Sequence, residues 1–310
     1  MNKKLQGLVE GSLITAINVV LAWLSYWFFP ITYFIPLPSL ILTYRNGLRI
    51  SFLSLIISII ILSLVLSPFS AVFLILPSGL LGLYLGYGLS KRFNLKLLLA
   101  GSFILLLALQ LLGIYLSMVL FKMPFEKIIG IDAMREGWKK SLEIFKNYLG
   151  NTQNEYIEMQ NKFMENLHLF VPSFLIMSAL FQVFLNYVII EKVLKRFRIE
   201  APSLPKLENL RVPKKLVFII FILYILFAFI NIPLRDVILS NLSLCLQFFI
   251  LINGYILAWI LLRYFIKNIV LRILLFIIFV LNPIFGSIIF ITGFIDIFFP
   301  LREKIIPKEG

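Results

Sequence analysis

The chain reads as an all-α, polytopic helical membrane protein of about 8–10 transmembrane helices with an outer amphipathic helical hairpin. Two observations predict the membrane class. Hydrophobic residues make up 61% of the 310 residues and charged residues only 14%, whereas soluble globular chains run about 45–50% apolar and about 25% charged. Mean hydropathy is +0.99, and 31 Phe exceed what one soluble core buries. A third observation, the placement of positive charge, orders the crossings.

A crossing needs roughly 20 apolar residues. The spans that approach this are 8–29, 31–43, 50–66, 70–89, 97–121, 169–190, 216–232, 238–262 and 270–300. The first follows Met1-Asn2-Lys3-Lys4. It is too long for a signal-peptide core and lacks a small-residue cleavage site, so it reads as an uncleaved helix. Segment 31–43 is short and holds Pro36 and Pro38. It is a short crossing or a re-entrant piece, which a bilayer tolerates only when it is buried in protein. Segment 270–300 carries Pro283 and Gly286 near its middle, which predicts a tight helical hairpin.

Cytoplasmic loops are enriched in Lys and Arg. With the amino terminus inside, Lys3/Lys4, Arg45/Arg49, Lys91/Arg92/Lys96, segment 191–215 and Arg263/Lys267/Arg272 all fall on the cytoplasmic side. Outer turns 67–69 and 233–237 carry no net charge. Arg302, Lys304 and Lys308 place the tail inside as well. The net charge of +14, from 29 Lys+Arg against 15 Asp+Glu, is then a topology signal rather than a nucleic-acid-binding patch.

These assignments divide the chain into membrane helices 1–121, an outer hairpin 122–167, a helix 168–190, a basic linker 191–215, membrane helices 216–300 and a tail 301–310. In the outer segment, Met134, Trp138, Leu142, Phe145 and Leu149 recur at three- and four-residue spacing, the pattern of an amphipathic helix. Gly150 ends that helix, and Thr152-Gln-Asn-Glu155 is a capping box opening a second one. The second helix has Tyr156, Met159, Phe163 and Leu167 on its apolar face. The pair is a structural cap or a gate over an outward pocket. Linker 191–215 holds eight basic and three acidic residues. Its Lys192, Lys195, Arg196 and Arg198 are candidates for contact with anionic headgroups or a partner, at about 1 kcal/mol per basic residue near a lipid surface. No aromatic interleaving for base stacking accompanies them, so no nucleic-acid partner is expected.

Catalytic signals are sparse. There is one Cys and one His, which excludes an intrachain disulfide and the two-histidine zinc sites. No phosphate-cradling G-x-x-x-x-G-K-[ST], dinucleotide fingerprint or G-x-S-x-G occurs. The ionisable residues in or near spans are Glu10, Arg235, Asp236 and Asp296. Each lies near a membrane interface, with Asp296 within reach of Arg302. No pair of buried carboxylates for acid–base work is evident. The expectation is a protein without enzymatic activity, metal or cofactor.

Polar residues inside spans are more informative. Ser12 and Ala16 share a face of the first span, and Gly82 and Gly86 are four apart in the fourth; small residues at such spacing serve helix packing or docking. Three stripes carry amides. Span five has Ser102, Gln110, Gly113 and Ser117. Span six has Ser178, Gln182 and Asn186. Span eight has Ser240, Ser243, Gln247 and Gly254, with Asn253 beside it. Gln110, Gln182, Asn186, Gln247 and Asn253 are the candidate ligand-binding residues. Interhelical hydrogen bonds, each about 0.6–2 kcal/mol, would also account for them.

The order of several motifs resembles a family. Glu10-Gly11-Ser12-Leu13-Ile14-Thr15-Ala16 opens the first span, followed by Pro36-Leu37-Pro38, Arg45-Asn46-Gly47, Val171-Pro172-Ser173, Leu210-Arg211-Val212-Pro213, Asn253-Gly254 and the ending Gly293-Phe294-Ile295-Asp296-Ile297-Phe298-Phe299. Over nearly the whole chain these resemble the YybS-like family of bacterial membrane proteins, a domain of unknown function. The chain departs from that pattern where Asn253 stands for a Gln and Pro300 for an acidic residue. The amino-terminal part also resembles the substrate-binding membrane components of energy-coupling-factor transporters. That resemblance implies six-helix binders of vitamins or metals that dock through small residues on the first helix, here Ser12 and Ala16.

Two functions follow as expectations. One is a transport-related small-molecule-binding membrane component; with no ATP site of its own, active uptake would need separate ATPase and coupling subunits. The other is a non-catalytic scaffold or assembly factor that docks a partner through the basic linker. Either would sit in a bacterial cytoplasmic membrane.

Overall fold

Every regular element is helical among the residues that the computed structural model describes, namely 3–149, 158, 161–162, 164–206, 209–299 and 301–302, with the side chains of 3, 4, 144–149, 283 and 284 excepted. α1 spans Lys3–Trp27. A 3-10 turn, Phe29–Phe34, leads into α2, Pro36–Asn46. Pro36 takes the first helical position, where its missing N–H leaves nothing unpaired. Gly47, at φ 82°, ends α2 and lets α3 (Leu48–Val65) begin at once. That left-handed backbone is strained for residues with a Cβ.

Two caps set the next helices. Ser67 Oγ accepts from Ser70 N at the start of α4 (Pro68–Ser90), and Asn94 Oδ1 accepts from Leu97 N at the start of α5 (Leu95–Phe121). Such caps satisfy amides that the first turn leaves without partners. α6 (Phe125–Ile128) and α7 (Ile131–Leu149) follow. After a 3-10 turn, Leu167–Phe170, come α8 (Val171–Arg196), α9 (Lys214–Phe229), α10 (Arg235–Phe265), α11 (Ile269–Leu281) and α12 (Pro283–Phe298).

Among the described residues, six helices are long and apolar enough to cross a membrane: Leu5–Trp27, Leu48–Val65, Pro68–Ser90, Leu95–Phe121, Leu167–Arg196 and Arg235–Phe265. α11 with Phe285–Phe298 makes up to seven if that bent pair is one span. The expected eight to ten thus narrow to six or seven by this measure. α2 has 11 residues and α9 has 16, about 16 and 24 Å of helix against a hydrocarbon core of about 30 Å. α11 and α12 meet at 97°; the break falls where the sequence predicts it, but the angle is an elbow rather than a tight hairpin.

The chain forms two compact units, 1–138 with 175–204, and 139–174 with 205–310. In the first, α2 lies along α4. A Cβ at Gly82 would sit 2.3 Å from Pro36 O, and one at Gly86 2.5 Å from Leu40 O. The two glycines therefore let backbone meet backbone, and α2 becomes a short helix buried in protein. α1 and α3 are joined by hydroxyls: Thr15 Oγ1 lies 2.8 Å from Ser54 Oγ, and Ser54 Oγ donates to Gly11 O at 3.2 Å. Asn18 Nδ2 donates to Ser39 Oγ (3.1 Å) and Asn46 Nδ2 to Glu10 Oε2 (2.6 Å), tying α1 to α2. One apolar core of this unit gathers Leu40, Leu81, Leu98, Leu106, Tyr187 and Leu194.

In the second unit α10 is the central helix, packed by α9 and α12. Val217, Ile250 and Ile297 form a buried cluster there. Phe276 of α11 stacks edge-on against Trp259 of α10, with centroids 5.2 Å apart. Leu64 and Phe229 are 84% and 86% exposed, a costly placement in water but the expected one for lipid-facing side chains.

α7 realises the expected amphipathic helix, with half-buried Trp138 and Leu142 on its apolar face and Met134 exposed. The capping box Thr152–Glu155 and the apolar residues Tyr156, Met159 and Phe163 lie outside the described residues. Leu167 is buried.

Candidate functional site

The amide-bearing residues of the first unit lie on α5 and α8. Ser178 Oγ reaches Gln110 Oε1 at 3.4 Å, joining the two helices. Asn186 Nδ2 donates to the Gln182 carbonyl at 2.9 Å. Gln110 and Gln182 are half-buried, while Asn186 and Ser102 are buried. Asn186 Oδ1 and Ser102 Oγ have no hydrogen-bond partner. An unpaired buried polar atom costs about 1–3 kcal/mol, so these two atoms mark the seam as chemically incomplete.

One end of this seam is closed by the segment that follows α8. Arg198, at φ 56°, turns the chain back, and Ile199 N bonds to Leu194 O at 3.0 Å. Ile199 then enters the same core as Leu98 and Leu194, with Ala201 and Leu204 packed on it. Tyr187 Oη donates to Pro202 O at 2.6 Å, and Leu204 N donates to Glu191 Oε2 at 3.2 Å. Residues 197–204 are thus a strap fastened at two polar points. Residues 191–196 of the basic segment continue α8, where Lys195 and Arg196 suit the negative end of the helix dipole. Lys192, Lys195, Arg196 and Arg198 are all exposed, and Lys195 Nζ pairs with Glu191 at 2.7 Å. Sequence reasoning passed over Tyr187 and Glu191, although an isolated Tyr and an isolated Glu closing an apolar helix were the available signals.

Tyr187→Phe removes one strap anchor and leaves the Pro202 carbonyl without its donor. It is expected to lower stability by about 1 kcal/mol and to speed tryptic cleavage at Arg198 several-fold. An unchanged cleavage rate in the folded variant would mean that the strap is held without Tyr187.

The second unit holds a buried ionic network. Asn253, Asp296 and Arg302 are 0%, 1% and 2% exposed. Arg302 Nε donates to Asp296 Oδ2 at 2.8 Å, and its terminal nitrogens donate to Asn253 Oδ1 at 2.7 Å and to Leu210 O. Asn253 Nδ2 donates to Gly293 O and to Asp296 Oδ2, both at 3.0 Å. Burial pulls the Arg302 pKa below its ordinary value and Asp296 pulls it back up; a guanidinium keeps its charge through such shifts. The expected Asp296–Arg302 pairing is present. Both ends of the Asn253 amide already have protein partners. Beside it, a Cβ at Gly254 would lie 2.1 Å from Ile289 O, and one at Gly293 2.4 Å from Ile250 O. The network therefore forms where α10 and α12 touch. No sequence signal marks the Leu210 carbonyl, because a main-chain acceptor is the same at every position.

The remaining candidates separate by environment. Gln247, in the second unit, is exposed and donates to Ser243 Oγ at 3.2 Å. Gly82 and Gly86 are committed to α2, whereas Ser12 and Ala16 are exposed on α1. His168 is exposed, 3.3 Å from Glu165 O, and Cys245 Sγ lies 3.4 Å from Ser173 Oγ. Among the described residues, no group of three or more His, Cys, Asp or Glu could hold a metal ion.

Comparison with known proteins agrees with a membrane assignment. The chain is similar to the uncharacterized protein YybS of Bacillus subtilis (strain 168), at 22% identity over 321 residues, covering 98% of this chain and 99% of that one. No solved structure matches. Residues 13–297 match the model of a family described as "Predicted membrane protein (DUF2232)". That match extends over most of the chain and includes both the α5/α8 seam and the Asn253–Asp296 contact, so the protein is a multi-pass membrane protein of the DUF2232 family.

Proposed function

We propose that the protein is a small-molecule-binding component of a membrane transport process. The observation that carries this is the polar seam between α5 and α8, where two buried polar atoms, Asn186 Oδ1 and Ser102 Oγ, are unpartnered beside the apolar core of Leu98, Leu106, Val183 and Ile190. Gln110 and Gln182 extend the same seam. The protein binds without transforming its ligand. Active uptake then requires a separate ATPase and coupling subunit, and the exposed Ser12/Ala16 face of α1 is the docking surface for them.

Both termini lie in the cytoplasm of a bacterial cell, as the positive-inside bias supports. Lys192, Lys195, Arg196 and Arg198 then face anionic headgroups. Reporter fusions at residue 310 are expected to be active only when the reporter works in the cytoplasm; activity of an exported reporter there would overturn this orientation.

Gentle solubilisation from native membranes followed by an inventory of bound small molecules and co-purifying proteins tests the function. The expected result is a retained polar compound or an ATPase with its coupling subunit. Recovery of neither, with uptake unchanged after removal of 122–167, would overturn it. The exposure of all four basic residues beside the strap favours a second reading, a scaffold that docks an acidic partner. In that case neutralising Lys195, Arg196 and Arg198 abolishes the partner's crosslinking and leaves small-molecule retention untouched.

A further inference from the structure

The α5/α8 seam has a register. The two helices run antiparallel in the core: Leu98, near the start of α5, shares its cluster with Ile190 and Leu194 near the end of α8. Towards the other end, Gln110 meets Ser178. Eight residues back from Gln110 is Ser102, and eight residues on from Ser178 is Asn186. Antiparallel register therefore sets Ser102 opposite Asn186. Burial agrees: Ser102 lies between the core residues Leu98 and Leu106, and Asn186 between Val183 and Ile190.

Both carry a buried atom without a partner, as do Asn18 on α1 and Arg235 in the second unit. The comparison within the unit is informative. Thr43, Ser58 and Ser117 each donate to the carbonyl four residues earlier, at 2.8 Å. Ser102 does not. Asn186 uses its Nδ2 on Gln182 O and leaves Oδ1 without a donor. A buried hydroxyl and a buried amide oxygen that the register sets opposite one another would both be met by one occupant with a donor and an acceptor. The half-buried Gln182 amide, one turn from Asn186, adds a second amide along the seam.

Resting on the binding function proposed above, we infer that Ser102 and Asn186 form a slot for the hydroxyl or primary amide of a small uncharged molecule. Charge is excluded by the surroundings. No Asp, Glu, Lys, Arg or His occurs in 97–121 or 169–190, and Glu191, the nearest carboxylate on α8, is engaged by Lys195 and Leu204 N. A charged ligand would enter this seam without a countercharge. The strap across the α8 end leaves the Gln110/Ser178 end as the route of entry.

The test uses full-length protein. Native mass spectrometry of gently solubilised wild type, Ser102→Ala and Asn186→Leu reads retained small molecules, with thermal melts checking that each variant folds. Ser102→Cys and, as a bonded buried control, Ser58→Cys are made in a Cys245→Ser background. Both are treated with 2-hydroxyethyl methanethiosulfonate, a neutral reagent that itself carries a hydroxyl. The expected results are a neutral adduct at least five-fold depleted in both slot variants and labelling at least ten-fold faster at position 102 than at 58. If an adduct persists equally in the variants and position 102 does not react, the slot is wrong while the binding function survives. Fast labelling with no adduct in wild type means that the slot holds only water and overturns the inference. No adduct and no labelling removes both.

Discussion

Arg302→Ala loses about 3–5 kcal/mol of stability, the cost of leaving a buried charge without its partner. Asp296 is 1% exposed and takes Nε of Arg302 at 2.8 Å. Removing the guanidinium also strips the Leu210 carbonyl and Asn253 Oδ1 of their donor. Arg302→Lys keeps the charge but cannot present three separate donor directions, and falls between. The double variant Asp296→Leu/Arg302→Met recovers the part of the loss that comes from the uncompensated charge, while the Leu210 carbonyl and Asn253 Oδ1 stay without their donor. Thermal unfolding in detergent, followed by intrinsic tryptophan fluorescence, ranks the three. If Arg302→Ala melts with the wild type, or the double variant is worse than the single, the network does not hold the second unit together.

Gly293→Ala and Gly254→Ala should each cost about 3 kcal/mol, towards the upper end of what overpacking costs. The atoms that a new methyl would strike are backbone, Ile250 O and Ile289 O, and no rotamer change can move them aside. α10 and α12 have to separate, which pulls at Asn253 Nδ2 on Gly293 O. Gly286→Ala is the control: nothing lies within 4 Å of its Cβ, and in a helix Ala is the better residue by about 0.5–1 kcal/mol. Equal melting temperatures for the Gly254, Gly293 and Gly286 variants would mean that the two helices are not held at backbone contact.

The contrast between these glycines shows how far the sequence could be read. Gly82 and Gly86 announced a close helix approach by their spacing, and the structure supplies the partner, α2. That partner was obscure because an 11-residue segment with two prolines resembles a loop as much as a helix. Long apolar runs made α1, α3, α4, α5, α8 and α10 legible, since run length alone answers the bilayer. The α11/α12 break was visible in Pro283, but its 97° angle was not, because packing against α10 sets it. Asp296 and Arg302 were readable as a pair from their six-residue separation. Asn253 was readable only as an amide of unknown use. Its partners come from Gly293, 40 residues on, and Arg302, 49 residues on. Ser102 and Asn186 lay on recognised stripes, yet their lack of partners is a property of three-dimensional packing.

The path of the chain through its two units has a consequence for how the protein is made. The first unit begins with α1 and is finished only by residues 175–204, after the chain has entered the second unit at 139–174. During synthesis, the core faces of Leu40, Leu81 and Leu98 wait for Tyr187, Ile190 and Leu194 to emerge. A ribosome that stalls before α8 leaves the earlier helices inserted but unsealed. Neither unit is a contiguous stretch of gene, so neither can be exchanged or lost by a single recombination event without breaking the other.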